Sequence, residues 1–272
     1  MGKKACDSRT ESRRGSRPTR LPPRSHSLFR RAPTRTRGLR LIGDTQYGTA
    51  GEPGEAVLPL HLAYCHTRAS LTRLLTSRPD AAVLPVPACP GWTVYDTVAH
   101  LVANCRLAEH NLVGRPKKAA GDTLPELLVE WNRSGERVEL GLRGSSSDTA
   151  GSVLVMDAYT HEFDIRHALA SELPKSHPAA RAAFDLAING FRASVVQLRR
   201  PALRLQTMEA QWDVGDGEPT AVVSGTAHDL YRSLVGRRTV RQISELSWSD
   251  DPATWIPAFS WGPFRPPQGP VE

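Results

Sequence analysis

The sequence predicts an α+β protein in which a bundle of four or five helices is followed by a small unit of strands and short helices. Two observations predict this fold class. Apolar residues recur at helical spacing in five stretches between Leu58 and Leu198, whereas after Pro201 the segments alternate in polarity or are rich in β-branched residues. A chain of 272 residues is long enough to bury a sizeable core.

The predicted helices have recognisable boundary signals. The first ends before Arg78-Pro79, and the second starts after Thr93, where Asp96 three residues on completes a capping-box pattern. Gly114 and Gly144 stop the second and third helices, and Pro174 follows the fourth. The predicted helices run from Leu58 to Thr76, Val94 to Leu112, Leu124 to Leu142, Gly151 to Leu173 and Ala179 to Leu198.

The segment after Pro201 is punctuated by Gly and Pro and contains strand-like runs. The predicted strands are LRLQTME, QWDVG, TAVVSGTA and ELSWS, and HDLYRSLVG is predicted as a short helix. The last dozen residues are predicted as a loop or docked tail. We therefore expect three regions: a disordered basic extension over residues 1–55, a helical bundle over 56–200 and a small α+β domain over 201–272.

The positive charge of the chain is concentrated near its beginning. Residues 1–50 hold 13 of the 35 Lys and Arg side chains and three acidic ones, a formal charge of +10, whereas the remainder carries −3. A segment so rich in Arg, Ser and Pro buries too little apolar area to become ordered. It is either a non-functional extension, a transit peptide, or an arm for nucleic acid or anionic membrane. The body of the chain is not expected to bind nucleic acid.

Neither a membrane span nor a disulfide framework is predicted. No run reaches the roughly 18 to 20 consecutive apolar residues of a membrane helix, and no apolar signal core follows the basic segment. The four cysteines are scattered without a CxxC pair, which favours free thiols in a reducing compartment: Cys6, Cys65, Cys89 and Cys105. We therefore expect the body of the chain in the cytoplasm.

Three polar residues occupy an otherwise apolar stripe of the fourth predicted helix. Asp157, His161 and Asp164 are spaced i, i+4 and i+7, which places them within about 60° of one another around the helix. A carboxylate and an imidazole buried there need a partner. A divalent metal is one candidate, because Asp and His four residues apart can present an oxygen and a nitrogen to one ion. An ordinary Asp–His pair or helix-surface polarity is the other interpretation.

A metal would need a third ligand from elsewhere in the chain. His100 in the second helix is the best candidate, because helices two and four of a bundle can face each other. The apolar arc of that helix lies away from His100, so a surface or hydrogen-bonded histidine is the alternative. His167 is six residues from His161 and faces the opposite side of its helix. The competing histidines are His61, His66, His110 and His167.

Three strings of the sequence resemble one protein family. VPACPGWTVYDTVAHL resembles the entry to helix two of the mycothiol-dependent maleylpyruvate isomerase family, a DinB-like four-helix-bundle group. MDAYTHEFDIRHAL resembles its fourth-helix motif, D/E-x-x-x-H followed by Asp-Ile-Arg. WDVGDGEPTAVVSGTAHDLYRSLVGRR resembles the sterol-carrier-like α+β domain often fused to that bundle. The resemblance covers about Leu58 to Phe264 and leaves residues 1–50 unmatched.

The resemblance implies a metal site. It assigns His100, Asp157 and His161 as ligands of zinc or another divalent metal, although the family's isomerase has a glutamate where this chain has Asp157. Asp164 and Arg166 would then orient a ligand imidazole or close an ion pair. Two histidines and one carboxylate leave a fourth position open, which is typical of catalytic rather than structural zinc.

The resemblance also implies mycothiol as a thiol cosubstrate, bound at the open position as a thiolate. The thiolate would add to a conjugated, cis-configured diacid, allow rotation about the former double bond and leave from the trans isomer. Alternatively it would displace a leaving group, as in an S-transferase. An anionic substrate needs a cation, for which Arg237 or Arg238 is the candidate; two solvated surface residues are the alternative.

A non-catalytic binding protein is the competing hypothesis from another class. In it the C-terminal domain would hold an apolar ligand, and the metal would be structural or vestigial.

Overall fold

The computed structural model describes residues 58–113, 121–143 and 149–272. The predicted basic extension over residues 1–55 lies outside the described residues, as do Cys6 and the helix-stopping Gly114 and Gly144. Within the described ranges the chain is mainly helical and carries one small sheet of four strands, which confirms the α+β class.

Five long helices occupy the first part of the described chain, close to the predicted positions. They are α1 (Leu60–Thr76), α2 (Val94–Val113), α3 (Leu124–Gly141), α4 (Thr149–Ala168) and α5 (Ala180–Gln197). The predicted end of α4 at Leu173 is wrong. Ala170 adopts a left-handed conformation with φ 48°, and the Ser171 amide turns back to donate to the Arg166 carbonyl at 2.9 Å, which terminates the helix.

The capping box predicted for α2 is confirmed. The Thr93 amide donates to the Asp96 carboxylate at 2.9 Å, and the Asp96 amide donates to the Thr93 hydroxyl at 3.3 Å. These reciprocal bonds satisfy amides of the first turn that have no partner inside the helix. They fix where α2 begins, and therefore where His100 lies along it.

Helix α4 is the buried centre of the bundle. It packs against α1, α2 and α5, and every residue from Leu154 to Ile165 is buried. Polar residues on such a helix must find partners within the protein. Glu162, toward α1, accepts hydrogen bonds from Ser70 at 2.7 Å and Arg166 at 2.8 Å, and its carboxylate also pairs with His177.

The four strands follow α5 and are shorter than predicted. They are β1 (Leu203–Gln206), β2 (Gln211–Val214), β3 (Ala221–Ser224) and β4 (Ser247–Trp248), arranged in the order β2-β1-β3-β4. β1 is antiparallel to β2 and parallel to β3, with Leu205 opposite Val223, and β4 is antiparallel to β3. β1 ends at Gln206 because the next residues form a turn, in which the Thr207 amide donates to the Ala210 carbonyl at 2.8 Å.

Short helices complete this part of the chain. The predicted helix after β3 is confirmed as α6 (Ala227–Leu234), and it is followed by α7 (Val240–Ser244), which was not predicted. α6 packs on the bundle, where the Tyr231 and Thr160 hydroxyls lie 2.8 Å apart. Three 3-10 turns were also not predicted: Pro79–Val83, Pro252–Thr254 and Ile256–Phe259.

No helix in the described part of the chain combines the length and the apolar character needed to cross a membrane.

Replacing Gly190 of α5 with alanine is expected to destabilise the protein. A Cβ at this position would lie 2.1 Å from the Trp261 ring, whose indole nitrogen is fixed by a hydrogen bond to the Leu234 carbonyl at 2.9 Å. We expect Gly190→Ala to lower the free energy of unfolding by about 1–3 kcal/mol, measured by urea denaturation. In a Trp261→Ala background the same change should cost less than about 1 kcal/mol, because the methyl group then has room. Equal costs in both backgrounds would contradict the contact.

Candidate metal centre

The structure brings together the three side chains that the sequence resemblance implies as ligands. His100 projects from α2 toward Asp157 and His161 of α4. The His100 Nε2 atom lies 3.2 Å from Asp157 Oδ1, and the His161 Nε2 atom lies 3.6 Å from the same oxygen. All three donor groups lie within 4.8 Å of one another. Asp157 and His161 are buried, and His100 is partly open to solvent.

These separations suit one small cation. A tetrahedral zinc ion with ligand atoms about 2.0 to 2.2 Å away separates those atoms by about 3.3 to 3.6 Å. The two distances to Asp157 Oδ1, 3.2 and 3.6 Å, lie close to that range. Two imidazoles and one carboxylate are also the donor set that zinc accepts in proteins.

A neighbouring amide supports the same interpretation. The Asn104 Nδ2 group donates to Asp157 Oδ2 at 2.9 Å and lies 3.0 Å from His100 Nε2. The contact of His100 Nε2 with Asp157 Oδ1 at 3.2 Å is a hydrogen bond while the nitrogen carries a proton. When that proton is absent, both atoms are acceptors, and a cation between them would take the place of the proton.

Without an ion, Asp157 is held as a carboxylate by its neighbours. Burial by itself raises the pKa of Asp157, but the hydrogen bond and charge of His100, with help from His161, lower it to about 2. The same contact also acts on the imidazole. Burial lowers the pKa of His100, but the hydrogen bond and charge of Asp157 outweigh burial and leave that pKa raised. The site therefore presents a negative oxygen between two imidazole nitrogens.

Asp164 fixes the orientation of the His161 ring. Its Oδ2 atom lies 2.9 Å from His161 Nδ1, so the neutral ring donates from Nδ1 and keeps the Nε2 lone pair directed at Asp157. The structure thus places Asp164 where the sequence predicted an orienting residue. Arg166 instead pairs with Glu162 at 2.8 Å, which matches the ion-pair alternative.

Asp164 is fully buried and is paired with two arginines from the C-terminal part of the chain. Arg232 contacts Oδ1 at 2.5 Å, and Arg237 contacts Oδ2 at 2.8 Å. Burial raises the pKa of Asp164, but the charges of Arg237 and Arg232 outweigh it and hold that pKa well below its usual range. The carboxylate is therefore ionised whenever it orients His161.

The two arginines predicted as a substrate clamp lie in different surroundings. Arg237 is bonded to Asp164, next to the three candidate ligands. Arg238 is directed away from them and contacts Asp229 and Glu272. Their role toward a substrate stays a prediction. The competing histidines belong to no ligand group with His161; within the described ranges His167 is grouped with His228 and Glu272 instead.

The connector between α1 and α2 contributes two residues that the sequence did not single out. The Cys89 thiol lies 3.6 Å from Asp164 Oδ2 and 3.7 Å from His161 Nδ1. Burial and the Asp164 charge raise the pKa of Cys89 to about 12, so it remains a protonated thiol. Cys65, Cys89 and Cys105 are free, as predicted.

Trp92 forms an aromatic wall beside the same site. Its ring centroid lies 5.2 Å from that of His100 and 6.3 Å from that of His161, nearly parallel to the latter. The ring position follows from the connector's own backbone, in which the Val86 amide donates to the Trp92 carbonyl at 3.0 Å. Spacing rules could not find Cys89 or Trp92, because a Pro-rich connector has no periodicity.

Comparison with known proteins gives one kind of match. No protein-family model matches the chain, and no curated protein does. Two solved structures match, the crystal structures of the mycothiol-dependent maleylpyruvate isomerase and of a mutant of it, at 16% identity and TM-scores of 0.45 and 0.46. Each match covers 71% of this chain and 94% of the other. This is the family that the sequence motifs resemble.

Replacing Asp164 with asparagine should destabilise the fold strongly. The change removes the charged partner of the fully buried Arg232 and of Arg237, whose side chain is 12% exposed. We expect a loss of about 3–5 kcal/mol in the free energy of unfolding, measured by urea denaturation.

The matched control is Asp185→Asn, which breaks an exposed pair with Arg181 on α5. That change should cost less than about 1 kcal/mol. A loss for Asp164→Asn no larger than for Asp185→Asn would show that the buried pairs do not stabilise the fold.

Proposed function

We propose that this chain is a zinc-dependent enzyme that uses mycothiol as a thiol cosubstrate to isomerise, or to S-conjugate, a small substrate. The observation that carries the proposal is the convergence of His100, Asp157 and His161 on one point, with donor atoms 3.2 and 3.6 Å apart. Zinc is the preferred ion for this donor set, and another divalent metal is the alternative.

The donor set favours a catalytic over a structural metal. Three protein ligands leave one coordination position for an exogenous group. When bound, zinc supplies a Lewis acid that lowers the pKa of a thiol and keeps it as a nucleophilic thiolate at neutral pH. The resemblance of VPACPGWTVYDTVAHL and MDAYTHEFDIRHAL to motifs of the mycothiol-dependent family supports mycothiol as that thiol.

The chain's own residues prepare the site for this chemistry. Asp164 holds the His161 ring in the tautomer that leaves Nε2 free. The Cys89 thiol lies beside His161 Nδ1, the ring nitrogen opposite the Nε2 that faces Asp157, and is therefore not one of the three proposed ligands. The Trp92 ring stacks against His161 and lies tilted beside His100, so it supplies an apolar surface next to both imidazoles.

A conjugated, cis-configured diacid is the substrate class that we propose. Its carboxylates need a cation near the ligand triad. Arg237 is the better placed of the two predicted clamp residues, because its partner Asp164 also contacts His161. Binding the substrate there would require Arg237 to share its guanidinium between Asp164 and the incoming carboxylate.

The same proposal gives the two parts of the chain separate roles. Residues 56–200 would be a DinB-like bundle that holds the metal, and residues 201–272 a sterol-carrier-like domain that supplies the cations. The three free cysteines in the described chain suit a reducing compartment, so we place the reaction in the cytoplasm.

The metal itself gives the first test. Purified full-length protein is expected to bind about one zinc ion per chain, measured by atomic emission after dialysis. His100→Ala, Asp157→Ala and His161→Ala should each lose most of the metal, because two ligands hold zinc weakly. His110→Ala, an exposed histidine on α2, is the matched control and should keep the metal. Unchanged zinc in all three ligand variants would rule out the site.

Turnover gives the second test. Zinc-loaded protein should convert maleylpyruvate only when mycothiol is present, and His161→Ala should abolish this activity while His110→Ala retains it. Chromatography of the product distinguishes the two reactions, because an isomer regenerates the thiol whereas a conjugate consumes it. Protein that holds stoichiometric zinc yet turns over neither this diacid nor an electrophile such as monochlorobimane with mycothiol would be a binding protein, contrary to the proposal.

A further inference from the structure

A second polar cluster shares Arg232 with the Asp164 group, because the same guanidinium nitrogen contacts both Asp164 and Glu272. Four side chains surround the carboxylate of Glu272; we call them the carboxylate nest: His167, His228, Arg232 and Arg238. Both arginines contact the Glu272 carboxylate, and the Nε2 atoms of His167 and His228 lie 3.3 and 3.5 Å from it. α4, α6 and the segment after α6 thus converge on one anionic group.

The charges around the nest balance only when a carboxylate occupies it. Three arginines face three carboxylates: Arg232, Arg237 and Arg238 against Asp164, Asp229 and Glu272. Without Glu272 this set would carry one uncompensated positive charge next to Arg232, whose side chain is completely buried and would keep Asp164 as its carboxylate partner. Uncompensated charge beside a buried guanidinium is costly, so the nest favours an anion at this position.

The field of the nest favours an anion over a metal ion. Burial lowers the pKa of His228 to about 4, and the charges of Arg232 and Arg238 add to that effect; the same causes lower the pKa of His167. Two histidines and a carboxylate would otherwise suit a divalent cation, but two adjacent guanidinium groups repel one.

Glu272 is attached to the nest by little besides its side chain. The residues leading to it include three prolines, Pro266, Pro267 and Pro270, and have no regular secondary structure. Among the described residues, none from 266 to 272 takes part in a backbone–backbone hydrogen bond outside helices and strands. Glu272 can therefore leave the nest without breaking a helix or a strand.

The nest adjoins a cavity and contains nitrogen atoms that Glu272 does not engage. The cavity measures about 530 Å³ and is lined by His167, His228 and Arg238 of the nest, by the apolar side chains of Leu173 and Leu246, and by the polar side chains of Asp229, Gln242, Glu245 and Glu272. Arg232 Nε and His167 Nε2 are buried without a hydrogen-bond partner among the described residues. Glu272 thus leaves donors unused that a better-placed carboxylate could engage.

We propose that the carboxylate nest is a binding site for a small organic acid, with the Glu272 side chain as its occupant in cis and as the competitor that the acid displaces. The ligand class is a monocarboxylate with an apolar body, because two guanidinium groups match the carboxylate and Leu173 and Leu246 line the adjoining space. The site is separate from the His100, Asp157 and His161 centre and does not depend on the function proposed for it.

Benzoate is a suitable probe, titrated into full-length protein by isothermal titration calorimetry. The wild-type chain should bind it weakly, because Glu272 must first leave. Glu272→Gln removes the competing charge, and we expect it to bind benzoate at least about tenfold more tightly. Glu209→Gln, an exposed glutamate in the turn before β2, is the matched control and should keep the wild-type affinity.

Two further measurements locate the binding. Arg238→Gln, combined with Glu272→Gln, should reduce benzoate affinity at least about tenfold, and the uncharged analogue benzamide should not bind to Glu272→Gln. Equal benzoate affinity in wild type and Glu272→Gln, or undiminished affinity in the double variant, would overturn the proposal. If Glu272→Gln does not fold, wild type against Arg238→Gln decides: benzoate binding by the first but not the second supports the site, and any other result refutes it.

Discussion

The buried carboxylate of Asp164 is the constraint on which the arrangement of this protein depends. It lies on the central helix α4, contacts His161 on one side and is paired with Arg232 and Arg237 on the other. A buried carboxylate without such partners would be strongly destabilising, so the C-terminal segment has to dock where its arginines reach α4. One side chain therefore both attaches α6 to the bundle and sets the orientation of a candidate metal ligand.

Local sequence signals predicted the helices well, because helical spacing of apolar residues and a capping box act over a few residues. The start of α2 after Thr93 is the clearest example. The end of α4 was placed too late, since nothing in the sequence there compels Ala170 to adopt a positive φ. The lengths of the strands and the presence of α7 depend on contacts between distant segments, which no local pattern encodes.

The residues of the candidate site that lie close together in the sequence were easier to predict than those that come from distant segments. The spacing of Asp157 and His161 on one helix made them candidates, with an ordinary Asp–His pair as the other interpretation. His100 was the best candidate for a third ligand but lies off the apolar arc of α2, and it was the resemblance that implied all three as ligands. Cys89 and Arg232 come from segments far from α4 in the chain and have no spacing rule to mark them. The charge of the whole chain was a poor guide: the cations beside the site belong to a part of the sequence whose net charge is slightly negative.

The two ends of the connector that carries Cys89 and Trp92 are held together by backbone contacts. The Val94 amide donates to the Leu84 carbonyl at 2.9 Å, Pro85 and Thr93 form an isolated bridge, and Gly91 makes the tight turn with φ 82°. Val86 is buried in the core, but the exposed residues between these closing points, such as Pro87 and Pro90, can change without altering the helices on either side. Evolution could therefore reshape one wall of the site while the His100, Asp157 and His161 triad stays in place, so related chains with the same triad could diverge in what they accept through this loop alone.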